Sequence, residues 1–293
     1  MIANRASKLT INHVDGDQHM IRPTTALPRL VLLPGLHGTA DLYEPLLGCI
    51  PPGLAPKVIA YPPDIPLGYR ELLVQIEREL AQVPGEIILL AESFSGPLAM
   101  RYAARHPGRI RAIILSASFI RCPLWRVLPP IVKHVTRFAP PAFVTRWLMV
   151  GRSASRDTCS WVRDSIRQVA PRVLAHRLKQ VARIDVSKDL ERCAAIPMLY
   201  LCGTDDRVVR RASLDQILKI RPKMAIRTLQ GPHMLLQVRP ADSWHHVAEF
   251  LRSADVRVPV NGHTTAATSP AAPVLRRLEP DPALADTPLP VPQ

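Results

Sequence analysis

Short apolar runs alternate with amphipathic segments along most of the chain. The runs are too short for buried helices and too continuous for half-exposed strands, so they indicate strands buried on both faces. They lie at 29–33, 57–61, 87–90, 110–116, 197–202 and 224–229. Other segments carry apolar residues at helical spacing, namely 41–50, 66–83 and 240–251. The alternation predicts an α/β fold with a mostly parallel central sheet and helices on both faces.

The alternation is interrupted between Pro123 and Leu190, where the sequence contains helical patterns but no convincing strand. Four helices, punctuated by prolines, are predicted at 124–135, 143–150, 157–169 and 173–184. A helical insertion between two strands commonly covers a site at the strand ends. We therefore predict a helical cap at about 121–192, inserted before the strand at 197–202, and call these residues the cap.

The two ends of the chain differ from the region between them. Residues 1–27 are weakly patterned and are interpreted as an N-terminal edge segment, in which Leu9–Ile11 and Met20–Ile21 can supply short antiparallel strands. The α/β domain spans 28–252. Residues 254–293 are rich in Pro, Ala and Thr. They cannot bury enough apolar surface to offset their ordering entropy, which predicts a disordered tail.

Length, hydropathy and cysteine usage narrow the class of protein. A chain of 293 residues with 47% hydrophobic residues and a mean hydropathy of +0.05 is typical of a folded soluble protein. It contains no run of about 18 apolar residues that could span a membrane. The N-terminus lacks the apolar core of a secretory signal. Five cysteines without metal-ligand spacing predict a reduced, cytoplasmic protein with no metal and no cofactor.

The charge of the chain is concentrated in the cap. The formal net charge is +14, and the cap holds 15 Lys and Arg against 5 Asp and Glu. Because the charge is concentrated and aromatic residues make up only 5%, a nucleic-acid partner is not indicated. Two interpretations carry about equal weight: a solvated arginine-rich face, or attraction of an anionic substrate, an acidic carrier protein or a membrane surface.

A group of small residues follows the strand at 87–90. Ala91 and Ser95 stand two positions on either side of Ser93, and Gly96 comes next. This is the spacing of a nucleophile elbow, in which a sharp strand-to-helix turn projects a serine hydroxyl from the sheet edge. Most elbows have glycine at the two flanking positions. We call residues 91–96 the elbow.

Candidate partners for the serine follow two later strands. Asp205 and Asp206 come after the strand at 197–202, and His233 comes after the strand at 224–229. A serine hydroxyl needs a base, and the base needs an orienting carboxylate. The order serine, acid, histidine is the order expected after an elbow serine. All three lie at carboxyl ends of predicted strands, which meet at one edge of a parallel sheet.

Over about residues 28–252 the chain resembles the α/β-hydrolase-fold serine hydrolases. The resemblance implies that Ser93 is the nucleophile and His233 the base, and it selects Asp206 as the acid, three residues after the turn glycine Gly203. The segment Leu33–Gly38, which we call the oxyanion loop, occupies the position of that loop in the family. Pro34 stands where many relatives carry histidine. The resemblance implies that the two oxyanion donors are the backbone N–H groups of Leu36 and Phe94.

The function implied is hydrolysis of a carboxylic ester or thioester through an acyl-Ser93 intermediate. The expected substrate is a small-molecule acyl ester or thioester, either anionic or carried by an acidic partner. Two alternatives remain open: an acyltransferase with the same triad, and a catalytically silent binding protein of the same fold. Glu92 and His37 are interpreted as structural or site-lining residues, and His245 and His246 as solvent-facing.

Overall fold

The computed structural model of the chain describes residues 27–122, 146–151 and 154–256. Three predictions concern residues outside these ranges: the N-terminal edge strands, the cap helix at 124–135 and nearly all of the C-terminal tail. The other predicted strands and helices lie wholly or partly within the described ranges.

The core of the protein is a six-stranded sheet in the order β2-β1-β3-β4-β5-β6. Every neighbouring pair is parallel. The strands are β1 Arg29–Leu33, β2 Lys57–Val58, β3 Ile87–Glu92, β4 Ile110–Ser116, β5 Met198–Gly203 and β6 Ala225–Leu229. The predicted fold class is confirmed. β2 is shorter than the predicted strand 57–61, because beyond Val58 the chain turns towards the oxyanion loop, where Tyr61 N–H donates to Gly38 O (2.8 Å).

Nine α-helices are found in the described residues. They are α1 Glu44–Leu47, α2 Tyr69–Ala81, α3 Gly96–Arg105, α4 Arg156–Arg167, α5 Pro171–Val181, α6 Ser187–Arg192, α7 Arg211–Ile220, α8 Leu235–Val238 and α9 Pro240–Ser253. Residues Arg146–Val150 form a π-helical turn inside the predicted helix 143–150. Helices α6, α7 and α8 were not predicted. No helix in the described ranges is long and apolar enough to span a membrane.

Alternating residues of each strand enter two separate apolar cores. On β3, Ile87 and Leu89 pack with α2, α3, α6 and α7, whereas Ile88 and Leu90 pack with α1, α8 and α9. Burial on both faces explains why the strands are continuously apolar. A smaller third core joins α4 and α5 of the cap to Leu42 and to Met234, the residue after His233. The cap is thus packed directly against the histidine loop.

Candidate active site

Ser93 stands at the sharp turn where β3 passes into α3. Its φ of +47° is in the left-handed region, which a residue with a Cβ adopts only when its surroundings enforce it. The surroundings do so through the backbone: Ser118 Oγ donates to Ser93 O (2.7 Å), and Tyr69 OH donates to Phe94 O (3.1 Å). Tyr200 OH in turn donates to Ser118 O (2.6 Å). Three hydroxyl groups from other elements therefore fix the elbow.

The small residues of the elbow meet specific neighbours. A Cβ on Gly96 would lie 1.8 Å from Ser118 Oγ, so only glycine allows that hydroxyl to reach the elbow. Ser95 is fully buried, and its Oγ donates to Pro34 O in the oxyanion loop. Because that bond uses the serine proton, Tyr61 OH is the donor in its 2.5 Å contact with Ser95 Oγ. Ser95 thus ties the loop to the elbow.

The structure brings Ser93, His233 and Asp206 together. His233 Nε2 lies 3.0 Å from Ser93 Oγ, and His233 Nδ1 lies 2.9 Å from Asp206 Oδ2. The other carboxylate oxygen of Asp206 accepts from the backbone N–H groups of Val208 (2.8 Å) and Val209 (2.9 Å). These are the contacts that orient a carboxylate, an imidazole and a hydroxyl for proton transfer. The neighbouring Asp205 is exposed and accepts only from the Thr204 hydroxyl (3.3 Å) among the described side chains.

His233 is buried in a negatively charged environment. Its pKa is raised above the ordinary value. Burial is the largest single influence and lowers the pKa, but the charge and hydrogen bond of Asp206, together with the charge of Glu92, outweigh it. The protonated imidazole that forms during proton transfer is therefore favoured, and His233 is uncharged only above this raised pKa.

The loops that carry Asp206 and His233 are joined to each other and to the cap. Asp205 N–H donates to Gly231 O (2.9 Å), and a Cβ on Gly203 would lie 2.4 Å from the same oxygen. Met234 N–H donates to Met149 O of the π-helical turn (3.0 Å). The acid and the base therefore sit on two loops whose backbones are in direct contact.

The residues predicted to supply the oxyanion donors lie on two connected backbone segments. Leu36 is half-buried in a tight turn in which Gly38 N–H donates to Gly35 O (3.0 Å). Phe94 is buried, and its ring stacks on that of Tyr69 with centroids 4.5 Å apart. The bond from Ser95 to Pro34 O joins the loop to the elbow. Proline at position 34 is therefore compatible with a fixed loop, because its carbonyl provides the contact.

A buried polar cluster formed by His37, Glu92 and Gln237 connects the elbow with the oxyanion loop and α8. Gln237 Nε2 donates to Glu92 Oε2 (3.3 Å). The backbone N–H of Thr39 donates to His37 Nδ1 (3.1 Å), which leaves the proton of the neutral ring on Nε2, 3.8 Å from the same carboxylate oxygen. The interpretation of Glu92 and His37 as structural or site-lining residues is compatible with these contacts. His245 is exposed, whereas His246 is half-buried.

Sequence reasoning missed one residue beside the oxyanion loop. Arg177 of α5 is completely buried and donates to the Leu36 and His37 carbonyls. A signal was available, because Val173, Arg177 and Val181 recur every four residues and so share the apolar face of a helix. Among the residues that the structure describes, no cluster of His, Cys, Asp and Glu side chains is arranged to hold a metal ion.

Comparison with known proteins gives one family and many similar folds. The model of the family described as "Serine aminopeptidase, S33" matches residues 69–230, more than half of the chain. The match includes Ser93 and Asp206 and ends shortly before His233. No curated protein matches the sequence significantly.

Solved structures with a similar fold include proteins described as hydrolases and esterases. An esterase from Thermogutta terrifontis has a TM-score of 0.66 at 18% identity, over 78% of this chain and 91% of that one. A hydrolase from Oleispira antarctica has a TM-score of 0.65 at 14% identity, over 76% and 92%. An enol-lactonase from Burkholderia xenovorans has a TM-score of 0.61 at 16% identity, over 77% and 92%.

Proposed function

The chain belongs to the serine aminopeptidase S33 family of α/β-hydrolase-fold enzymes, and from this membership we propose that it hydrolyses carboxylic esters or thioesters with Ser93 as nucleophile. One observation carries the proposal: the unbroken contact from Ser93 Oγ through the His233 ring to the Asp206 carboxylate, with distances of 3.0 and 2.9 Å. The strained elbow supports the same role, since its backbone conformation directs the hydroxyl away from the packed strand and helix.

The first half of the proposed reaction acylates Ser93. His233 Nε2 takes the hydroxyl proton as Ser93 Oγ attacks the substrate carbonyl carbon, and Asp206 stabilises the imidazolium that forms. The negative charge that develops on the carbonyl oxygen is stabilised by the N–H groups of Leu36 and Phe94. One such donor is worth about 10²–10³ in rate in a serine hydrolase. The tetrahedral intermediate then expels the alcohol or thiol, which receives the proton from His233.

The second half releases the acid. Water enters beside the acyl group, and His233 removes its proton as the water oxygen attacks the ester carbonyl. The same two N–H groups stabilise the second tetrahedral intermediate. Collapse of this intermediate returns the proton to Ser93 Oγ and frees the carboxylic acid, which restores the enzyme without any cofactor in the cycle.

An ester or thioester substrate agrees best with the similar structures, two of which are described as an esterase and an enol-lactonase. The family description names an aminopeptidase, whose substrates are amides. We also propose that the substrate or its carrier is anionic, since Arg156 and Arg183 are exposed on the cap. A reducing compartment such as the cytoplasm suits the five free thiols.

The proposal is tested by labelling with a fluorophosphonate and by a substrate panel. The wild-type protein should be labelled covalently, and Ser93→Ala should not be, while Ser95→Ala, two residues away and not in contact with His233, should still be labelled. Turnover of p-nitrophenyl esters by the wild type should fall by about 10⁴-fold or more in Ser93→Ala. Absence of labelling in the wild type would refute the proposal and favour a silent binding protein. Equal labelling of Ser93→Ala would refute Ser93 as the nucleophile.

The panel separates substrate classes. It compares p-nitrophenyl esters of increasing chain length with an acyl-coenzyme A thioester and an aminoacyl p-nitroanilide, each at low and high salt. An anionic preference predicts a larger kcat/KM for the thioester that declines as ionic strength rises. Cleavage of the anilide alone would replace the ester hydrolase by a peptidase. Transfer of the acyl group to an added alcohol in place of water would identify an acyltransferase.

A further inference from the structure

Arg177 carries a positive charge in the interior of the protein. It lies on α5 of the cap and has no solvent exposure, and it is the largest of the fully buried side chains. Within the described ranges no carboxylate pairs with it. An isolated buried charge is costly and is retained only where polar groups satisfy it. Nε of Arg177 has no hydrogen-bond partner among the described residues, so the groups that contact Nη1 and Nη2 indicate what the residue does.

Within the described residues the guanidinium donates three hydrogen bonds, all to backbone carbonyls and two of them to the oxyanion loop. Nη1 donates to Leu36 O (3.0 Å) and to His37 O (2.9 Å), and Nη2 donates to Pro62 O (2.8 Å). The guanidinium also lies over the Tyr61 ring, 5.5 Å from its centroid. A planar fork of donors can hold two neighbouring carbonyls at once, which a lysine ammonium does less well.

The loop is shaped to admit this side chain. Gly38 has a φ of +78°, and a Cβ there would lie 2.6 Å from Arg177 Nη1 and 2.9 Å from Tyr61 Cβ. Glycine at position 38 thus serves both the turn and the approach of the guanidinium. Burial lowers the pKa of Arg177 to about 10, so the group stays protonated at neutral pH.

We propose that Arg177 is a positioning residue: it fastens the oxyanion loop to the cap and sets a positive charge behind the loop, on the carbonyl side of Leu36. The inference rests on the proposed function, in which the Leu36 N–H stabilises the oxyanion. That N–H and the carbonyl that Arg177 binds both belong to Leu36. If the carbonyl is released, the N–H can turn away from the oxyanion. The charge also favours the negative oxygen of the transition state over the neutral carbonyl of the substrate.

The test compares Arg177→Met and Arg177→Lys with Arg172→Met. Arg172 lies on the same helix but is exposed, and its side chain donates to Asp64 O (3.1 Å). Active sites are counted with a fluorophosphonate, so that misfolded protein does not enter kcat. We expect Arg177→Met to lower kcat by about tenfold to a hundredfold while KM changes by less than about threefold. Arg177→Lys should lower kcat by less than Arg177→Met does, and Arg172→Met should keep the wild-type kcat and KM.

A transition-state readout separates positioning from a structural role. A trifluoromethyl ketone forms a hemiketal whose oxyanion occupies the proposed hole, so its affinity should fall in parallel with kcat/KM in Arg177→Met. A protein that is merely less stable would keep the wild-type affinity per active site. If Arg177→Met does not fold, Gly38→Ala displaces the guanidinium without removing its charge, and Arg177→Lys keeps the charge without the fork.

Wild-type kcat and inhibitor affinity in both folded Arg177 variants would overturn the inference. Should Gly38→Ala and Arg177→Lys be the only folded variants, wild-type values in both would overturn it equally. Failure of the proposed function looks different, because the wild type itself would then show neither fluorophosphonate labelling at Ser93 nor turnover. The inference fails alone when the wild type is labelled and active while the Arg177 variants are kinetically unchanged.

Discussion

The nucleophile side of the proposed triad is held by close packing as well as by hydroxyl hydrogen bonds, whereas the acid–base side is held mainly by hydrogen bonds between loops. At the elbow, the Ser118 hydroxyl occupies the space that a Cβ of Gly96 would need, and Phe94 stacks on Tyr69. The backbone around Ser93 has a strained φ of +47° and little room to relax. Close packing therefore leaves the nucleophile little tolerance for added volume.

The acid and base depend on polar contacts instead. Asp206 accepts two backbone N–H bonds and contacts His233, and Asp205 N–H reaches across to Gly231 O. The apolar contacts of these loops include those of Val208 and Val209 with one sheet core and that of Met234 with the third core. The difference suggests a simple rule: changes in charge should matter most on the acid–base side, and changes in volume on the nucleophile side.

The largest effect is expected from Asp206→Asn, which keeps the shape and removes the charge. The amide oxygen can still accept from Val208 and Val209. Its NH₂ group would donate to His233 Nδ1, so the ring proton would lie on Nε2, which faces Ser93. Nε2 could then not accept the serine proton. We expect kcat to fall by about 10³–10⁴-fold. The measurement is steady-state hydrolysis of the best ester in the panel, with the fold checked by circular dichroism.

Asp205→Asn is the matched control, since Asp205 is adjacent but exposed. Its kcat/KM should stay within about twofold of the wild type, as expected for a surface substitution. Equal losses in the two variants, or an active Asp206→Asn, would mean that the carboxylate next to His233 does not orient the base and that the rule fails on this side.

A smaller effect, on stability, is expected from Gly96→Ala, which adds one methyl group and no charge. The new Cβ would lie 1.8 Å from Ser118 Oγ and 2.8 Å from Ser118 Cβ. Relief of the clash must displace Ser118 and weaken its bond to Ser93 O. We expect the free energy of unfolding, measured by urea titration, to fall by about 1–3 kcal/mol.

Gly108→Ala is the control for an added methyl group, because a Cβ there has nothing within 4 Å. It should change the free energy of unfolding by less than about 0.5 kcal/mol. Combination of Gly96→Ala with Ser118→Gly removes the clash, so the double variant should lose less than the sum of the two single losses. Gly96→Ala as stable as Gly108→Ala would show that packing does not fix the elbow.

The part of this arrangement that could be predicted from sequence is the part encoded locally. The strands at 87–90 and 110–116 are visible as apolar runs, and the elbow as a spacing of small residues, because their neighbours in sequence determine them. The clamp of Arg177 on Leu36 joins residues 141 positions apart. The hydrogen bond from Gln237 to Glu92 joins residues 145 positions apart. From composition alone, Arg177 belongs with the solvated charged residues of the cap, because only the packed fold shows that it is buried.

The smallest effect is expected where the two sides meet, at Glu92. This buried carboxylate ends β3 on the nucleophile side and accepts from Gln237, four residues beyond His233. Its charge is one of the influences that raise the pKa of His233. Glu92→Gln removes the charge but keeps the size and an oxygen for Gln237, so the pKa of His233 should fall. Because the base works only when uncharged, the acid limb of kcat/KM should move to lower pH.

The shift is measured from kcat/KM profiles of the wild type, Glu92→Gln and Glu44→Gln with a substrate that does not titrate in the range studied. Glu44 is an exposed carboxylate on α1, and its replacement should leave the acid limb in place. Kcat on the plateau above the limb should change little in Glu92→Gln, because neither the proposed triad nor its shape is altered. An unmoved acid limb, or a movement to higher pH, would mean that Glu92 does not act on His233 through its charge. A large loss of kcat on the plateau would instead indicate that Glu92 acts through packing. Changes in volume would then matter on the acid–base side as well.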